Sequence, residues 1–451
     1  MQKTDVLIIG GSAAGIVAAT TGKSFYPEKE FMVIRQEEKV LVPCGIPYIF
    51  ESLGSSEKNL IADAVLENAG VNLKIGEVIH IDNKNKICKT SNDEEISYDK
   101  LIIATGSKPV KPKWLKGSDL KNVILIPKDK VYLDKAKATL DDCKDVIVIG
   151  GGFIGVEVAD ELKKTGKNVT IVELMPTILS LAFDQELAIK VEKILESRGI
   201  TIRTGVGVRE ILGDGKVEAV LLNNEEKITA DAVILSTGYS PNTELAKDSG
   251  IPINNLGFIK VNEYMRTEDI DVFAVGDCAG KHSFLTRTLK GVMLASTACA
   301  EGRIAGMNLF NLSIVKSFSG TIAIFCTCIG DTAFGAAGVT ESLAKERGFN
   351  VVSGTFEGID KHPGTLPDTH KQIIKLIASV DFGVILGGEV IGGPTAGELT
   401  NLIGYAIQNR MTVSDILTSQ IGTHPLLTAP PTAYPLIKAA EMIIKKQRNN
   451  K

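Results

Sequence analysis

The sequence predicts an α/β protein: two doubly wound, Rossmann-like nucleotide-binding units followed by a C-terminal α+β domain. Three observations carry this prediction. Residues 5–19 read DVLIIGGSAAGIVAA and residues 145–159 read DVIVIGGGFIGVEVA, so one strand–glycine–helix unit occurs twice. Each copy has a later matching strand, DKLIIATGSKP at 99–109 and DAVILSTGYSP at 231–241. After about residue 316 neither glycine pattern recurs. The length of 451 residues agrees, since roughly 150 residues per domain allows about three.

Taken in order, residues 5–9 are a short apolar run ended by glycines, which reads as a buried strand and not as a signal segment. Gly10-Gly11-Ser12-Ala13-Ala14-Gly15 turns the chain into a helix of small residues. Residues 31–34 are the next strand. In the second copy Gly150-Gly151-Gly152-Phe153-Ile154-Gly155 makes the same turn. Gly155, Ala159 and Leu162 share one face of the helix that follows, and Gly166 suits its C-terminal end. Residues 169–172 are the next strand. Strand, glycine turn, helix and strand make a βαβ unit, hence a parallel sheet in each copy. Residues 272–275 are a further apolar strand, ending in Gly276-Asp277. In the C-terminal third, 322–335 is an apolar, strand-like run with two cysteines, 371–392 reads as alternating strands and 394–410 as a helix.

Composition narrows the function. The net charge of −4 argues against broad electrostatic binding to nucleic acid, and 5% aromatics argue against stacking platforms for single strands. No stretch approaches 18 apolar residues, which speaks against a membrane-spanning helix. A soluble, cytoplasmic protein is expected. Seven cysteines make no disulfide framework and fit a reducing compartment. Cys326-Thr327-Cys328 lacks the two further ligands a metal needs, so core packing is expected there and a metal site nowhere.

The second glycine loop matches G-x-G-x-x-G between a strand and a helix. Gly150 allows the tight turn, Gly152 lets the backbone approach a pyrophosphate, and Gly155 lets the helix pack on the strand. The helix N-terminus offers N–H groups to phosphate. Glu173 stands 18 residues past Gly155. An acid there accepts from ribose hydroxyls and repels a 2′-phosphate, which favours NADH over NADPH. The first loop has Ser12 where the second has Gly152. Its next strand ends in Arg35 and not in an acid, with Gln36 and Glu37 as alternatives for a ribose. These residues alone do not name the nucleotide of the first copy.

The two-copy layout, Ala104-Thr105-Gly106, Ser236-Thr237-Gly238 and Ala274-Val275-Gly276-Asp277 together resemble the pyridine nucleotide–disulfide oxidoreductase flavoproteins over essentially the whole chain. The resemblance implies FAD on the first copy, at Gly10, Ser12, Ala13, Ala14, Gly15, Arg35, Ala104, Thr105 and Gly106. Gly276 and Asp277 would meet the ribityl chain, and Leu294 and Ala295 would lie near the flavin pyrimidine. It implies NADH on the second copy, with NADPH as the alternative, at Gly150, Gly152, Phe153, Ile154, Gly155, Glu173 and Gly238. Phe153 would gate the nicotinamide pocket. The implied domains are FAD-binding at 1–110 and 242–315, NAD(H)-binding at 111–241, and dimerisation at 316–451, in a homodimer.

Residues 40–50, VLVPCGIPYIF, select the branch. The residue five past Cys44 is Ile49, where two-cysteine members carry a second cysteine. The stretch therefore resembles the single-cysteine branch of coenzyme A-disulfide reductases, sulfur reductases, NADH oxidases and peroxidases. Sulfur chemistry needs a thiolate, and a helix running from Cys44 through Ile49 to Leu53 would favour one. Tyr48 and Lys23 are candidates to meet a thiol cofactor such as coenzyme A.

His424, in Thr423-His424-Pro425, resembles the family's acid–base histidine, but Ala429 stands where the supporting glutamate would be. Coenzyme A-disulfide reductases carry tyrosines at the positions of His362 and Thr428, and peroxidases a histidine at that of Ala13. His80, His282 and His370 have no motif. The resemblance thus implies an FAD-dependent NADH oxidoreductase that uses Cys44, with His424, to reduce a disulfide, persulfide or polysulfide. The alternatives are an oxygen-reducing NADH oxidase and an electron-transfer reductase for a small redox protein.

Overall fold

The strand Gln2–Ile9 runs parallel to Phe31–Arg35 on one side and to Glu95–Ile103 on the other. Asn72–Ile75 extends the parallel sheet beyond Phe31–Arg35, and Val272–Ala274 pairs in parallel with the end of Glu95–Ile103. Val78–Asp82 and Ile87–Thr90 continue it antiparallel at the far edge. Both faces are covered, so the central strand reads as an unbroken apolar run, with Val6, Leu7 and Ile8 all fully buried. Side chains alternate between the faces: Val6, Ile8, Val33 and Ile102 enter one core, and Leu7, Ile34, Leu101 and Ile103 enter the other.

The first core is roofed by the helices Ala13–Phe25 and Ala295–Met307. They cross at small residues. A Cβ on Gly302 would lie 2.8 Å from the Ala14 carbonyl oxygen, and one on Gly306 would lie 2.7 Å from that of Ala18. The computed structural model describes residues 1–449. It divides into two units: 1–143, 213–217 and 231–321 in the first, and 144–212, 218–230 and the chain from 322 onward in the second.

In the second unit Asp145–Ile149 pairs in parallel with Asn168–Val172, which pairs with Thr201–Arg203. The helix Phe153–Lys164 connects the first two, and its face of Gly155, Ala159 and Leu162 is buried, as expected. Gly166 follows its end. The C-terminal part is a five-stranded antiparallel sheet in the order Phe325–Ile329, Thr332–Gly338, Ile385–Gly392, Lys371–Ser379, Val351–Ile359. The expected helix forms as Ala396–Gln408.

The run 322–335 is a hairpin and not one strand. Its first arm, Phe325–Ile329, is an edge strand, so Cys326 and Cys328 are exposed; this corrects the expectation of core packing. Inside this unit a buried lysine, Lys375, meets Asp184 at 2.8 Å, Glu186 at 2.7 Å and Glu341 at 3.1 Å. Burial pushes Asp184 up, but hydrogen bonds from Lys375 and Ser342 outweigh it and hold the carboxyl well below its usual range. Glu389 accepts from the Asp184 N–H at 3.0 Å through Oε1, while Oε2 has no hydrogen-bond partner among the described residues. Burial, and then the charge on Asp184, push Glu389 up to about 9, so it is protonated at neutral pH.

Candidate active site

Parallel strands with helices on their faces bring loops together at the strands' C-terminal ends. Gly10 turns there with φ +113°, and a Cβ on it would lie 2.2 Å from the Ala104 carbonyl oxygen. The first loop is thus pressed against Ala104-Thr105-Gly106. Ser12 is the N-cap of the helix that Ala13 and Ala14 begin. Gly276, at φ +80°, places its α-carbon where a Cβ would touch that of Ala14 at 2.8 Å. Asp277 therefore stands beside the same loop. Leu294 is the N-cap of the second roof helix, with Ala295 as its first residue.

Two residues without a sequence motif hold Asp277 in place. Glu301 is fully buried and accepts from the Gly276 N–H at 2.7 Å. Lys281, also buried, donates to the Gly276 and Ala279 carbonyls at 2.9 and 2.8 Å, and lies 3.3 Å from Glu301 Oε1. Gly276 is gripped at both its N–H and its C=O. Burial pushes Glu301 up to about 7, against the pull of Lys281. Asp277 itself accepts from Ser107 and Lys128, each at 2.7 Å. Burial raises it, but the charge and hydrogen bond of Lys128 win, and the carboxylate is ionised. A buried, ionised acid beside a glycine turn fits a polyhydroxyl chain such as the ribityl of FAD.

Arg35 does not reach out. Its guanidinium meets both Asp63 oxygens, at 2.8 and 3.0 Å, and the carbonyls of Glu37 and Glu38. The side chain is 1% exposed and packs under Gly11. Its charge is thus matched within the protein, as a bidentate pair.

In the second loop Gly150 repeats the turn of Gly10. A Cβ on Gly152 would meet nothing within 4 Å, which leaves the open approach a pyrophosphate needs. Ile154 is half-buried and Gly155 buried. Glu173 lies beside this loop: Oε2 accepts from the Gly151 N–H at 2.6 Å and Oε1 from the Met175 N–H at 2.7 Å. Phe153 is the first residue of the helix. Gly238 belongs to the first unit, where its carbonyl accepts from the Val110 N–H at 2.9 Å.

Cys44 is exposed. The helix expected to run to Leu53 is instead a 3₁₀ helix, Pro43–Phe50, with Cys44 its second residue. Pro47 lies inside and has no N–H to give, which favours this tighter, shorter form. Ile49 is fully buried below it. Asn59, buried and unsuspected from the sequence, fastens the turn. It donates to the Val42 carbonyl at 3.0 Å and leaves no room for a side chain on Gly45. Lys23 gives two hydrogen bonds, to the carbonyls of Pro27 and Lys29, at its own helix end. Elsewhere burial holds thiols protonated, with Cys88 pushed up to about 12 and Cys278 raised as well.

In the second unit the structure joins two of the candidate proton donors. The His362 N–H donates to the Pro425 carbonyl at 3.1 Å, and its Nδ1 lies 3.1 Å from the Thr428 carbonyl oxygen. A carbonyl only accepts, so Nδ1 carries the proton and Nε2 is left as the base. His424 is exposed and accepts from the Leu426 N–H through Nδ1 at 3.3 Å. The turn from His424 to Thr428 thus links the positions of His362, His424 and Thr428. His370 also has a partner, the buried Asp360, at 3.0 Å from Nδ1.

Residues 4–302 match the family model described as pyridine nucleotide-disulphide oxidoreductase. The chain belongs to this family. Residues 324–434 match the dimerisation domain of pyridine nucleotide-disulphide oxidoreductases. An NADH oxidase of Enterococcus faecalis is 32% identical over 440 residues, covering 94% of this chain and 96% of that protein. A CoA-dependent NAD(P)H sulfur oxidoreductase of Pyrococcus abyssi is 30% identical over 455 residues, 98% of each. Among solved structures, an NAD-dependent persulfide reductase from A. fulgidus superposes with a TM-score of 0.89 at 27% identity, covering 99% of this chain and 84% of that one. As a pyridine nucleotide-disulphide oxidoreductase the protein is an enzyme, an NAD(P)H-dependent flavin oxidoreductase. No helix among the described residues is long and apolar enough to cross a membrane.

Proposed function

We propose that the enzyme passes electrons from NADH through FAD to Cys44, and there reduces a small disulfide, persulfide or polysulfide. The observation that carries this reading is the exposed Cys44, on a proline-braced turn with buried Ile49 where a resolving cysteine would be. On this reading FAD occupies 1–110 and 242–315, NAD(H) occupies 111–241, and 316–451 pairs two subunits. The glycine loop at 10–15 and ionised Asp277 suit the first; Gly152 and Glu173 suit the second.

The flavin supplies two-electron redox chemistry when bound. The chain's part is to position and to manage protons. Cys44 thiolate attacks a substrate sulfur, the S–S bond breaks, and a mixed disulfide forms while one thiolate leaves. The imidazolium form of His424 of the partner subunit gives a proton to that thiolate. Two electrons then restore Cys44 and release the second thiolate. The sum is one disulfide, one NADH and one proton converted to two thiols and NAD⁺.

Anaerobic titration with NADH followed by an acceptor panel tests this. NADH should bleach the flavin of both wild type and Cys44→Ser, and Cys44→Ser should lose at least about 100-fold in turnover on disulfides and polysulfide, the scale of an activated nucleophile. Unchanged turnover in Cys44→Ser would sink the proposal. An oxygen-reducing oxidase is the second reading, favoured by the identity to the Enterococcus enzyme. It predicts turnover on oxygen above that on any sulfur acceptor. Ala13, which has no proton to donate to a peroxide, weighs against it.

A further inference from the structure

The helix Phe153–Lys164 and the edge strand Phe325–Ile329 meet at two points within the second unit. Phe153 and Phe325 lie face to face, their ring centroids 5.1 Å apart and their planes 8° from parallel. One helical turn on, Thr327 Oγ1 donates to Glu157 Oε1 at 2.7 Å. The spacings match: four residues apart on a helix and two apart on a strand each put both side chains on one side. Both phenylalanines are half-buried, so the stack borders accessible space, with the buried Phe183 on its inner side at 6.4 Å from Phe153. Gly152, the neighbour of Phe153, is exposed and unobstructed.

We propose that Phe325 is the berth of the nicotinamide gate. It holds the Phe153 ring by stacking, and an entering nicotinamide takes over Phe325's place as the partner of Phe153. The Thr327–Glu157 hydrogen bond keeps strand and helix together while the ring changes partner. This rests on the reading of Phe153 as the gate of the NAD(H) subsite. Its new content is that a residue of the C-terminal sheet, more than 170 positions away in sequence, sets how tightly the nucleotide is held. A stack of this kind biases an equilibrium by about 2- to 12-fold. Nucleotide affinity is reduced by the fraction of time the ring is berthed.

The test uses the FAD-loaded protein and reads NAD⁺ affinity by equilibrium dialysis, independently of turnover. Phe325→Leu, which keeps apolar bulk and removes the ring, should bind NAD⁺ about 2- to 10-fold more tightly. The gain should disappear when the same change is made in a Phe153→Leu background, since the two rings act as one unit. Phe325→Tyr, which keeps the stack, should bind more weakly than Phe325→Leu. Unchanged or weaker binding in Phe325→Leu overturns the berth. If NADH bleaches the flavin normally and affinity is unchanged, the berth alone fails. If NADH does not bleach the wild-type flavin, the functional reading fails with it.

Discussion

At the scale of single residues, buried acids set the chemistry in opposite ways. Asp277 stays ionised because Lys128 outweighs its burial, while Glu389 stays protonated because Asp184 adds to its burial. The second case has a consequence for stability. A folded-state pKa raised from 4.5 to about 9 means the folded protein holds a proton that the unfolded chain releases. Stability contributed by that proton is full below pH 4.5 and is lost as pH climbs toward 9. Glu389→Gln keeps the acceptor for the Asp184 N–H and cannot ionise. It should melt several degrees above wild type at pH 9, where a shift of this size is worth up to about 6 kcal/mol, with little or no gain at pH 4, as read by calorimetry at both pH values. Little of this was legible in the sequence. Asp184 and Glu389 are 205 positions apart, and Lys281 and Glu301 carry no motif. Cys44 was legible as a lone thiol, but its helix was misjudged because Pro47 favours the tighter 3₁₀ form.

Among elements, the strands and glycine turns of both nucleotide units were legible, because apolar runs, glycines and helix starts are adjacent in sequence. The crossing of the helices Ala13–Phe25 and Ala295–Met307 was not, although its signature is there in Gly302 and Gly306. Only the structure shows that each faces backbone. Gly302→Val puts methyl groups against the Ala14 carbonyl and must spread the pair. Overpacking of this kind costs about 1–3 kcal/mol. The variant should melt lower and release FAD faster than wild type, measured by differential scanning and by flavin fluorescence in the filtrate. The edge strand Phe325–Ile329 teaches the converse. Its apolar composition suggested a core strand, but position at a sheet edge, which no local pattern records, exposes Cys326 and Cys328.

For the whole molecule, the proposed dimer places proton and thiol on different chains. Mixing Cys44→Ser with His424→Gln should then restore activity that neither has alone. Random exchange makes half the dimers hybrid, each with one intact site, so about a quarter of wild-type turnover is expected. No recovery after verified subunit exchange would place both groups on one chain. The two halves of the nucleotide repeat also diverge in how their charges are used. Arg35 is consumed by Asp63, and the two oxygens of Glu173 hold the N–H of Gly151 in the neighbouring loop and that of Met175 in its own turn. The residue read as choosing NADH is therefore also a strut of the loop that receives it. On the proposed reading, nucleotide preference and loop rigidity become a single heritable trait. A lineage, or an engineer, moving this enzyme toward NADPH must find a new acceptor for the Gly151 N–H before giving up the old one.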